Sequence, residues 1–220
     1  LIAKQSVHGF DIIESKDPLK DIVKIIEADK LEIIGFDNQV SFAYYQGLQA
    51  IFEGYTLSPQ SNFMEELRMI KDEKELATIR KACSISDRAF TDVLDFIKPG
   101  QTTELQVANF LDFRMREYGA SGVSFESIIA SGYRSAMPHG VASEKVIQSG
   151  ETLTMDFGCY YNHYVSDMTR TIHIGDTTDE EREIYDIVLR SNQALIDAAK
   201  AGMTRRDYDK VARDVIVEAG

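Results

Sequence analysis

Some residue types are scarce or absent in this chain of 220 residues, and the scarcity of cysteine excludes one class of protein. Tryptophan is absent, and the two cysteines, Cys83 and Cys159, are too few for the disulfide framework of a small secreted domain. A reducing location, the cytoplasm, is therefore expected. No apolar run approaches the roughly 18 residues of a membrane span, and no secretory leader is visible, so a membrane partner is not expected.

Positive charge is also short. The chain has 24 lysines and arginines against 36 aspartates and glutamates, and its net charge is -12. A nucleic-acid partner requires a basic patch, so the excess of acidic residues argues against this class of function. The content of 44% hydrophobic and 27% charged residues is typical of a globular protein with a packed core. The first residue is Leu1 rather than methionine, which predicts that the chain starts inside a longer protein.

Start and stop signals along the chain predict two domains. The first domain has a helix after Asp17, whose side chain can cap it, a strand at residues 31–36 and a helix at residues 41–49. Residues 56–61 include a proline and predict a linker. We therefore place the domain boundary there, with the first domain at residues 1–60.

The second domain, residues 62–220, is predicted to be of the α+β class. Its helix at residues 72–97 has apolar residues three and four positions apart, which predicts one buried stripe that includes Cys83. The other predicted elements are helices at residues 104–118, 179–199 and 204–219 and strands within residues 124–132 and 151–175.

An internal repeat lies within this second domain. Residues 98–102 (Lys-Pro-Gly-Gln-Thr) resemble residues 200–204 (Lys-Ala-Gly-Met-Thr), and each copy separates two predicted helices. One interpretation is a common way of ending one helix and starting another. The other is a pair of halves, each made of two helices and a sheet, in which the chain ends before the second sheet.

Two aspartates provide the strongest local signal. If Asn162-His163 is a two-residue hairpin turn, Asp156 faces Thr169, and Asp167 is a diagonal neighbour of Asp156 on the same face. Diagonal neighbours lie about 7–8 Å apart at the backbone, so both carboxylates could reach two divalent ions about 3.5–4 Å apart. A turn one residue earlier would place the aspartates directly opposite each other, whereas a three-residue turn would place them on opposite faces.

Side-chain alternation supports a shared polar face. The members of this face are Thr154, Asp156, Gly158, Asp167, Thr169, Thr171 and His173. The other face is apolar and suits a core, with Leu153, Met155, Phe157, Met168, Ile172 and Ile174. Neighbouring carboxylates repel each other unless a cation compensates them. From spacing alone, a solvated sheet face with two incidental aspartates stays an alternative to a metal site.

Taken together, the motifs resemble one family. Asp156-Phe157-Gly158 and residues 166–171 (Ser-Asp-Met-Thr-Arg-Thr) are similar to the metal-site hairpin of Xaa-Pro dipeptidases and aminopeptidase P. Residues 68–75 resemble the opening of the family's catalytic domain. Residues 127–132 and Pro138-His139-Gly140 resemble its substrate-site segment.

The resemblance implies a fold. Residues 62–220 resemble the α+β pita-bread catalytic domain of the creatinase/aminopeptidase type, truncated in its second half. Residues 1–60 more weakly resemble the end of a creatinase-type N-terminal α/β domain. The two pseudo-symmetric halves of the pita-bread fold would account for the repeat, and the expected assembly is a homodimer.

The resemblance also implies a chemistry, the hydrolysis of Xaa-Pro bonds in small peptides by water activated on two divalent ions, manganese or cobalt. Asp156 would bind one ion and Asp167 would bridge both. His139, which taken alone would be an ordinary solvated loop histidine, would hydrogen-bond the substrate near the scissile bond. The remaining ligands, one histidine and two glutamates, are expected beyond Gly220.

Several alternatives stay open. Dipeptidases and aminopeptidases of this type are not separated by the residues present, and a non-catalytic binding module could retain the fold. Creatinase shares the fold but lacks the metals, and Asp156 and Asp167 argue against it. His163 occupies a position where the family usually has glycine, so the turn is expected to be strained or of another type. His163 could also be an additional ligand or pocket residue.

Overall fold

The computed structural model describes residues 2–220, which form helices and strands in two compact units that separate after Lys71. The helices are α1 (Ile2–Ser6), α2 (Pro18–Ala28), α3 (Phe42–Ile51), α4 (Phe63–Met69), α5 (Glu73–Phe96), α6 (Glu104–Glu117), α7 (Asp179–Ala198) and α8 (Arg205–Glu218). The strands are β1 (Ile33–Asp37), β2 (Thr56–Gln60), β3 (Gly122–Val123), β4 (Ile128–Ser131), β5 (Glu151–Phe157), β6 (Cys159–Tyr161), β7 (Tyr164–Val165) and β8 (Met168–Ile174).

Capping residues explain where the long helices begin. Asp72 accepts hydrogen bonds from the backbone N–H groups of Lys74 and Glu75, and the Glu75 carboxylate accepts one from the Asp72 N–H. Thr103 and Gln106 form the same reciprocal capping box at the start of α6. Each box satisfies N–H groups that the first turn of a helix leaves without a partner. The predicted helices of the second unit are confirmed to within two residues at each end.

In the first unit, α2 and α3 enclose a small core with the parallel strands β1 and β2, and this core centres on Ile26, Leu48 and Phe52. The linker predicted at residues 56–61 is wrong, because residues 56–60 are strand β2. Leu57 packs against the core, and Pro59 is tolerated because both strands of a two-stranded sheet are edges, where a missing N–H breaks no central ladder.

In the second unit, α5 and α6 pack on one face of the antiparallel sheet β4-β5-β8. The buried residues of α5 are Ala82, Ile85, Ser86, Ala89 and Val93. The predicted stripe is therefore correct in period but wrong at Cys83, which is exposed. Cys83 lies one position after Ala82, so its side chain points about 100° of helix rotation away from that of buried Ala82. Ile85 lies three positions after Ala82, close to the same face of the helix, and is buried in the core instead.

The two copies of the repeat both form helix-turn-helix units, α5–α6 and α7–α8. Thr103 caps α6 and Thr204 caps α8, so a threonine directly precedes the second helix of each pair. Among the described residues, none of the helices combines the length and the apolar character needed to cross a lipid bilayer.

Candidate metal-binding site

The candidate site lies on the hairpin formed by β5, β6, β7 and β8. Residues 151–157 of β5 pair in order with residues 174–168 of β8, and Tyr161 pairs with Tyr164 at the end of the hairpin. Asn162 and His163 are the two turn residues, with φ angles of 45° and 70°. Two positive φ angles are the mark of a type I′ turn, which matches the twist of the strands. The predicted two-residue turn is confirmed.

This register brings the two aspartates together. Asp156 pairs with Thr169, and the pairs on either side place Asp167 across from Gly158. The aspartates are thus diagonal neighbours on one face, at a backbone distance of about 7–8 Å. The opposite face is buried in the core, with Leu153, Met155 and Phe157 fully inaccessible. The predicted sorting of the two faces is therefore confirmed.

The environment of Asp156 opposes an isolated negative charge. Burial raises the pKa of its carboxyl, a hydrogen bond with the Thr169 hydroxyl opposes the rise, and the charge of Asp167 adds to it. The Oδ1 atom of Asp156 is buried and has no hydrogen-bond partner in the described part of the chain. A buried carboxylate oxygen without a donor costs free energy, and a bound cation would remove that cost.

All polar groups of Ser166, the residue before Asp167, form hydrogen bonds. Its N–H donates to the Cys159 carbonyl at 2.9 Å, and its hydroxyl lies 3.0 Å from the Cys159 nitrogen and 2.7 Å from the Ser86 hydroxyl. Its carbonyl accepts from the Ser124 hydroxyl at 2.9 Å. Ser86 belongs to α5, so this buried cluster fixes the backbone of Asp167 against the helix.

Gly158 allows the hairpin to pass this cluster. A Cβ atom on Gly158 would lie 2.0 Å from the Ser166 carbonyl oxygen and 2.5 Å from the Ser124 hydroxyl, closer than real atoms approach. Glycine inside a strand commonly marks such a close approach of another backbone. The glycine of the Asp-Phe-Gly motif is therefore explained by backbone packing beside the aspartates.

His139 lies at the edge of the same sheet. Val141 forms an isolated bridge with Ile128 of β4, and Ile128 pairs in turn with Asp156. Since neighbouring strands lie about 4.8 Å apart, Val141 is about 10 Å from Asp156 across the sheet. His139 is exposed and stands two residues before Val141, so the loop brings it to the edge of the sheet beside β4.

Two other histidines do not join the aspartates. His163 is at the tip of the hairpin, four residues from Asp167, and a strand rise of about 3.3 Å per residue places it about 13 Å away. This distance argues against His163 as a ligand of the same ion. His173 lies beyond the aspartates in β8, and its Nε2 atom is buried without a hydrogen-bond partner in the part of the chain that the structure describes.

The residues present fit a divalent cation in kind but not in number. Carboxylate oxygens are ligands that divalent ions such as manganese accept, and one oxygen of Asp156 lacks a donor. Within residues 2–220, however, no group of three or more histidines, cysteines, aspartates or glutamates is arranged to hold a metal ion. The hairpin therefore supplies two candidate ligands of an incomplete set.

Sequence reasoning missed two buried polar residues of the second unit. In the sequence Ser166 stands out only as part of a motif, and its buried contact with Ser86 joins residues 80 positions apart. Glu104 carries no signal in the sequence, although it is fully buried. An acidic residue in the first turn of a helix is common, so its position alone does not distinguish it.

Comparison with known proteins identifies the two units. Residues 77–220 match the model of metallopeptidase family M24, and residues 1–70 match that of the creatinase/prolidase N-terminal domain. An uncharacterized peptidase of Bacillus subtilis is 40% identical over 220 residues, covering 99% of this chain and 62% of its own length. An Xaa-Pro dipeptidase of Pyrococcus furiosus is 37% identical over 211 residues, covering 94% of this chain and 60% of its own.

Solved structures of Xaa-Pro peptidases have the same fold over the length of this chain. An Xaa-Pro dipeptidase from Bacillus anthracis superposes with a TM-score of 0.93 at 39% identity, covering 100% of this chain and 62% of its own. An X-Pro aminopeptidase from Thermotoga maritima has a TM-score of 0.93 at 36% identity, covering 100% of this chain and 63% of its own. The chain thus spans about 60% of these relatives, and over this span the expected pita-bread fold is confirmed. The chain belongs to metallopeptidase family M24 and carries part of a creatinase/prolidase-type N-terminal domain.

Proposed function

We propose that the protein containing this chain hydrolyses Xaa-Pro peptide bonds and that Asp156 and Asp167 are two of its metal ligands. The observation that carries the proposal is the pair of carboxylates on one sheet face, one of which has a buried oxygen without a donor among the described residues. Relatives named Xaa-Pro dipeptidase and X-Pro aminopeptidase support the substrate class.

Each residue has a distinct part in this proposal. Asp156 and Asp167, the second of which is fixed by Ser166, would hold the ions. Divalent ions, when bound, supply an activated water and polarise the carbonyl. His139 hydrogen-bonds the substrate beside the scissile bond as negative charge develops there. The pocket has to accept a tertiary amide, because proline in a peptide has no N–H to donate.

Further expectations belong to the same proposal. The ions are manganese or cobalt, the remaining histidine and glutamate ligands follow Gly220, the protein is cytoplasmic and it is a homodimer. Dipeptidase activity is the first candidate and aminopeptidase P-type activity the second. The division of the chain into residues 1–60 and 62–220, with the catalytic domain in the second range, is also part of the proposal.

The test compares the product of the complete gene with a single variant. Hydrolysis of Leu-Pro and of a longer Leu-Pro-Xaa peptide is measured in the presence of manganese. The number of bound metal ions per chain is determined by inductively coupled plasma mass spectrometry. The wild type should cleave at least one of these peptides and bind two ions. Asp167→Asn should lose activity and most of one ion, because a neutral amide is a weaker ligand for a divalent ion than a carboxylate is.

Asp176→Asn is the matched control, since Asp176 is an exposed aspartate that follows β8. It should retain activity and both ions. An Asp167→Asn protein with two ions and wild-type turnover would contradict the assignment of Asp167. A wild type that cleaves neither peptide but binds them would favour the binding-module alternative.

A second variant separates substrate handling from metal binding. His139→Ala should lower turnover by roughly 10²–10⁴, the usual contribution of a residue that handles a proton, with metal content unchanged. Loss of metal from this variant would show that His139 is a ligand instead.

A further inference from the structure

We propose that Glu104 is a positioning residue that fixes the loop carrying His139. The inference rests on the proposed function, because it assigns to Glu104 a role that acts through His139. Residues 132–142 are called the His139 loop here. The loop connects β4 to the segment before β5 and contains a 3₁₀ turn at Gly132–Ala136.

One buried carboxylate binds the two residues that flank the loop and one residue within it. Glu104 Oε1 accepts hydrogen bonds from the backbone N–H and the hydroxyl of Ser131, at 2.7 and 2.9 Å. Glu104 Oε2 accepts from Arg134 Nε at 3.0 Å and from the N–H and hydroxyl of Ser143, at 3.2 and 2.6 Å. Ser131 directly precedes the loop, Arg134 lies within it and Ser143 directly follows it.

A second contact closes the loop on itself. Arg134 Nη2 donates to the Val141 carbonyl at 2.7 Å, so the guanidinium joins Glu104 to the residue that bridges to β4. Gly140 is buried, and a Cβ atom on it would lie 3.0 Å from the Ala130 Cβ, so the loop lies directly on β4. The carbonyl of His139 accepts from the Val141 N–H at 2.9 Å. The position of His139 therefore depends on the segment that Glu104 and Arg134 hold.

Glu104 is itself fixed to the scaffold. It is the first residue of α6, its N–H donates to the Lys145 carbonyl at 3.0 Å, and the Leu105 N–H donates to the Ser143 carbonyl at 2.9 Å. The Lys145 ammonium binds the Ser131 hydroxyl at 2.8 Å and the Glu151 carboxylate of β5 at 2.7 Å. Helix, sheet and loop thus meet at one buried network.

The chemistry of this network explains why a carboxylate is needed. Glu104 is 0% exposed, and a buried carboxylate is unfavourable unless donors surround it. Every group that contacts the Glu104 carboxylate is a hydrogen-bond donor, and one of these groups is the Arg134 guanidinium. Glu104 also lies at the N-terminus of α6, where the helix dipole favours negative charge. A glutamine of the same shape would direct its own N–H₂ group against donors, so one side of the loop would lose its anchor.

The test uses the complete enzyme and asks whether Glu104 acts through His139. Glu104→Gln should lower kcat on the cleaved Xaa-Pro peptide by about 10- to 100-fold per metal-loaded enzyme, because misplacing a reacting group by about 1 Å has effects of this size. KM and metal content should change by less than about threefold. In a His139→Ala background, the same substitution should lower kcat by less than about threefold. If Glu104 acts by positioning His139, removing His139 already abolishes the contribution that Glu104 makes.

Asp92→Asn is the matched control, because Asp92 also binds an arginine in the α5–α6 pair, with Arg114 Nε at 2.7 Å, and contacts no residue of the His139 loop among those described. It should leave kcat unchanged even where it lowers stability. Equal, additive losses from Glu104→Gln with and without His139 would overturn the proposal and indicate a role in folding alone.

Two further measurements keep the inference testable if Glu104→Gln does not fold or if the wild type cleaves neither peptide. Ser143→Ala removes the 2.6 Å hydroxyl contact with Glu104, together with the 3.2 Å hydrogen bond that the same hydroxyl accepts from the Lys145 N–H. It leaves the Ser131 and Arg134 contacts in place and should give a smaller loss of kcat with the same dependence on His139. Hydrogen exchange of residues 132–143, which needs no substrate, should be faster in Glu104→Gln or Ser143→Ala than in Asp92→Asn. Unchanged exchange in this segment would overturn the proposal independently of any peptidase activity.

Discussion

The two helix pairs of the second unit share a sequence pattern but differ in what covers them. In α5–α6 the fully buried residues include Ala82, Ile85, Ala89, Val93, Val107, Leu111 and Met115. In α7 the structure buries Ser191, and α8, within the described residues, has no buried residue. The large apolar residues exposed on the second pair are Ile184, Tyr185, Val188, Leu189, Ile196, Tyr208, Ile216 and Val217.

This difference teaches that an apolar stripe does not by itself create a core. Both pairs have a turn of the Lys-x-Gly-x-Thr type and a threonine cap. Within residues 2–220, which span about 60% of the length of the relatives, the sheet packs against α5–α6, and its residues Leu153, Met155 and Phe157 complete that core. The stability of the unit is therefore expected to be concentrated in the first pair.

The largest expected effect comes from truncating one leucine in each pair. Leu111→Ala should reduce the free energy of unfolding by about 2–5 kcal/mol, because it opens a cavity in a fully buried core. Leu189→Ala should cost less than about 1 kcal/mol, since Leu189 is 52% exposed. Urea unfolding of the 220-residue chain, followed by circular dichroism, measures both. Equal losses would mean that the α7 face is covered in solution.

Hydrogen exchange sharpens the same comparison without a mutation. Backbone amides of α5 and α6 should exchange at least about a hundredfold more slowly than those of α7 and α8, a difference of about 2.8 kcal/mol in opening free energy. Mass spectrometry of peptides from the four helices provides the measurement. Similar protection in both pairs would contradict the view that the sheet supplies most of the stability.

A serine in each pair offers a smaller, matched test. Ser86 of α5 shares a hydrogen bond with Ser166 of the hairpin at 2.7 Å, whereas Ser191 of α7 donates to the Ala212 carbonyl of α8 at 3.1 Å. Ser86→Ala should cost about 1–3 kcal/mol because it leaves a buried hydroxyl short of a partner, and Ser191→Ala should cost about 1 kcal/mol or less. Thermal unfolding of the two variants measures which one is less stable. A larger loss of stability in Ser191→Ala than in Ser86→Ala would contradict the expectation.

A still smaller expected effect is a dependence of stability on pH. Hydrogen bonds from the Tyr118 hydroxyl and the Arg114 guanidinium hold the pKa of Asp92 below its ordinary value. A lowered folded pKa stabilises the protein above the unfolded value, about 3.9, and this contribution is lost as pH falls through the folded pKa. The stability gap between wild type and Asp92→Asn should thus be constant near neutral pH and shrink below about pH 4. Urea unfolding of both proteins across this pH range measures the gap.

In the second helix pair, the exposed ion pair between Lys210 and Asp214 of α8 corresponds to the ion pair between Asp92 and Arg114 in the first. Asp214→Asn should leave the midpoint of urea unfolding nearly unchanged, because exposed ion pairs contribute little. A midpoint shift larger than that of Asp92→Asn would reverse the order expected for the two pairs.

Much of the local structure could be predicted because neighbouring residues determine it. Thr103 caps α6 through contacts within one helical turn, and the hairpin register follows from alternation and from a two-residue turn. The prediction that Asp156 and Asp167 share a face succeeded for this reason. Their role as metal ligands stays a proposal.

The sequence by itself therefore determined the helices, the hairpin and the face on which the aspartates lie, since all three depend on short-range periodicity and turn chemistry. Tertiary structure alone decided that residues 56–60 form a strand, that Ile85 rather than Cys83 enters the core, and that Glu104 is buried under the His139 loop. These outcomes depend on contacts between residues far apart in the chain. Burial is a property of what packs against a residue, and no local pattern specifies that partner.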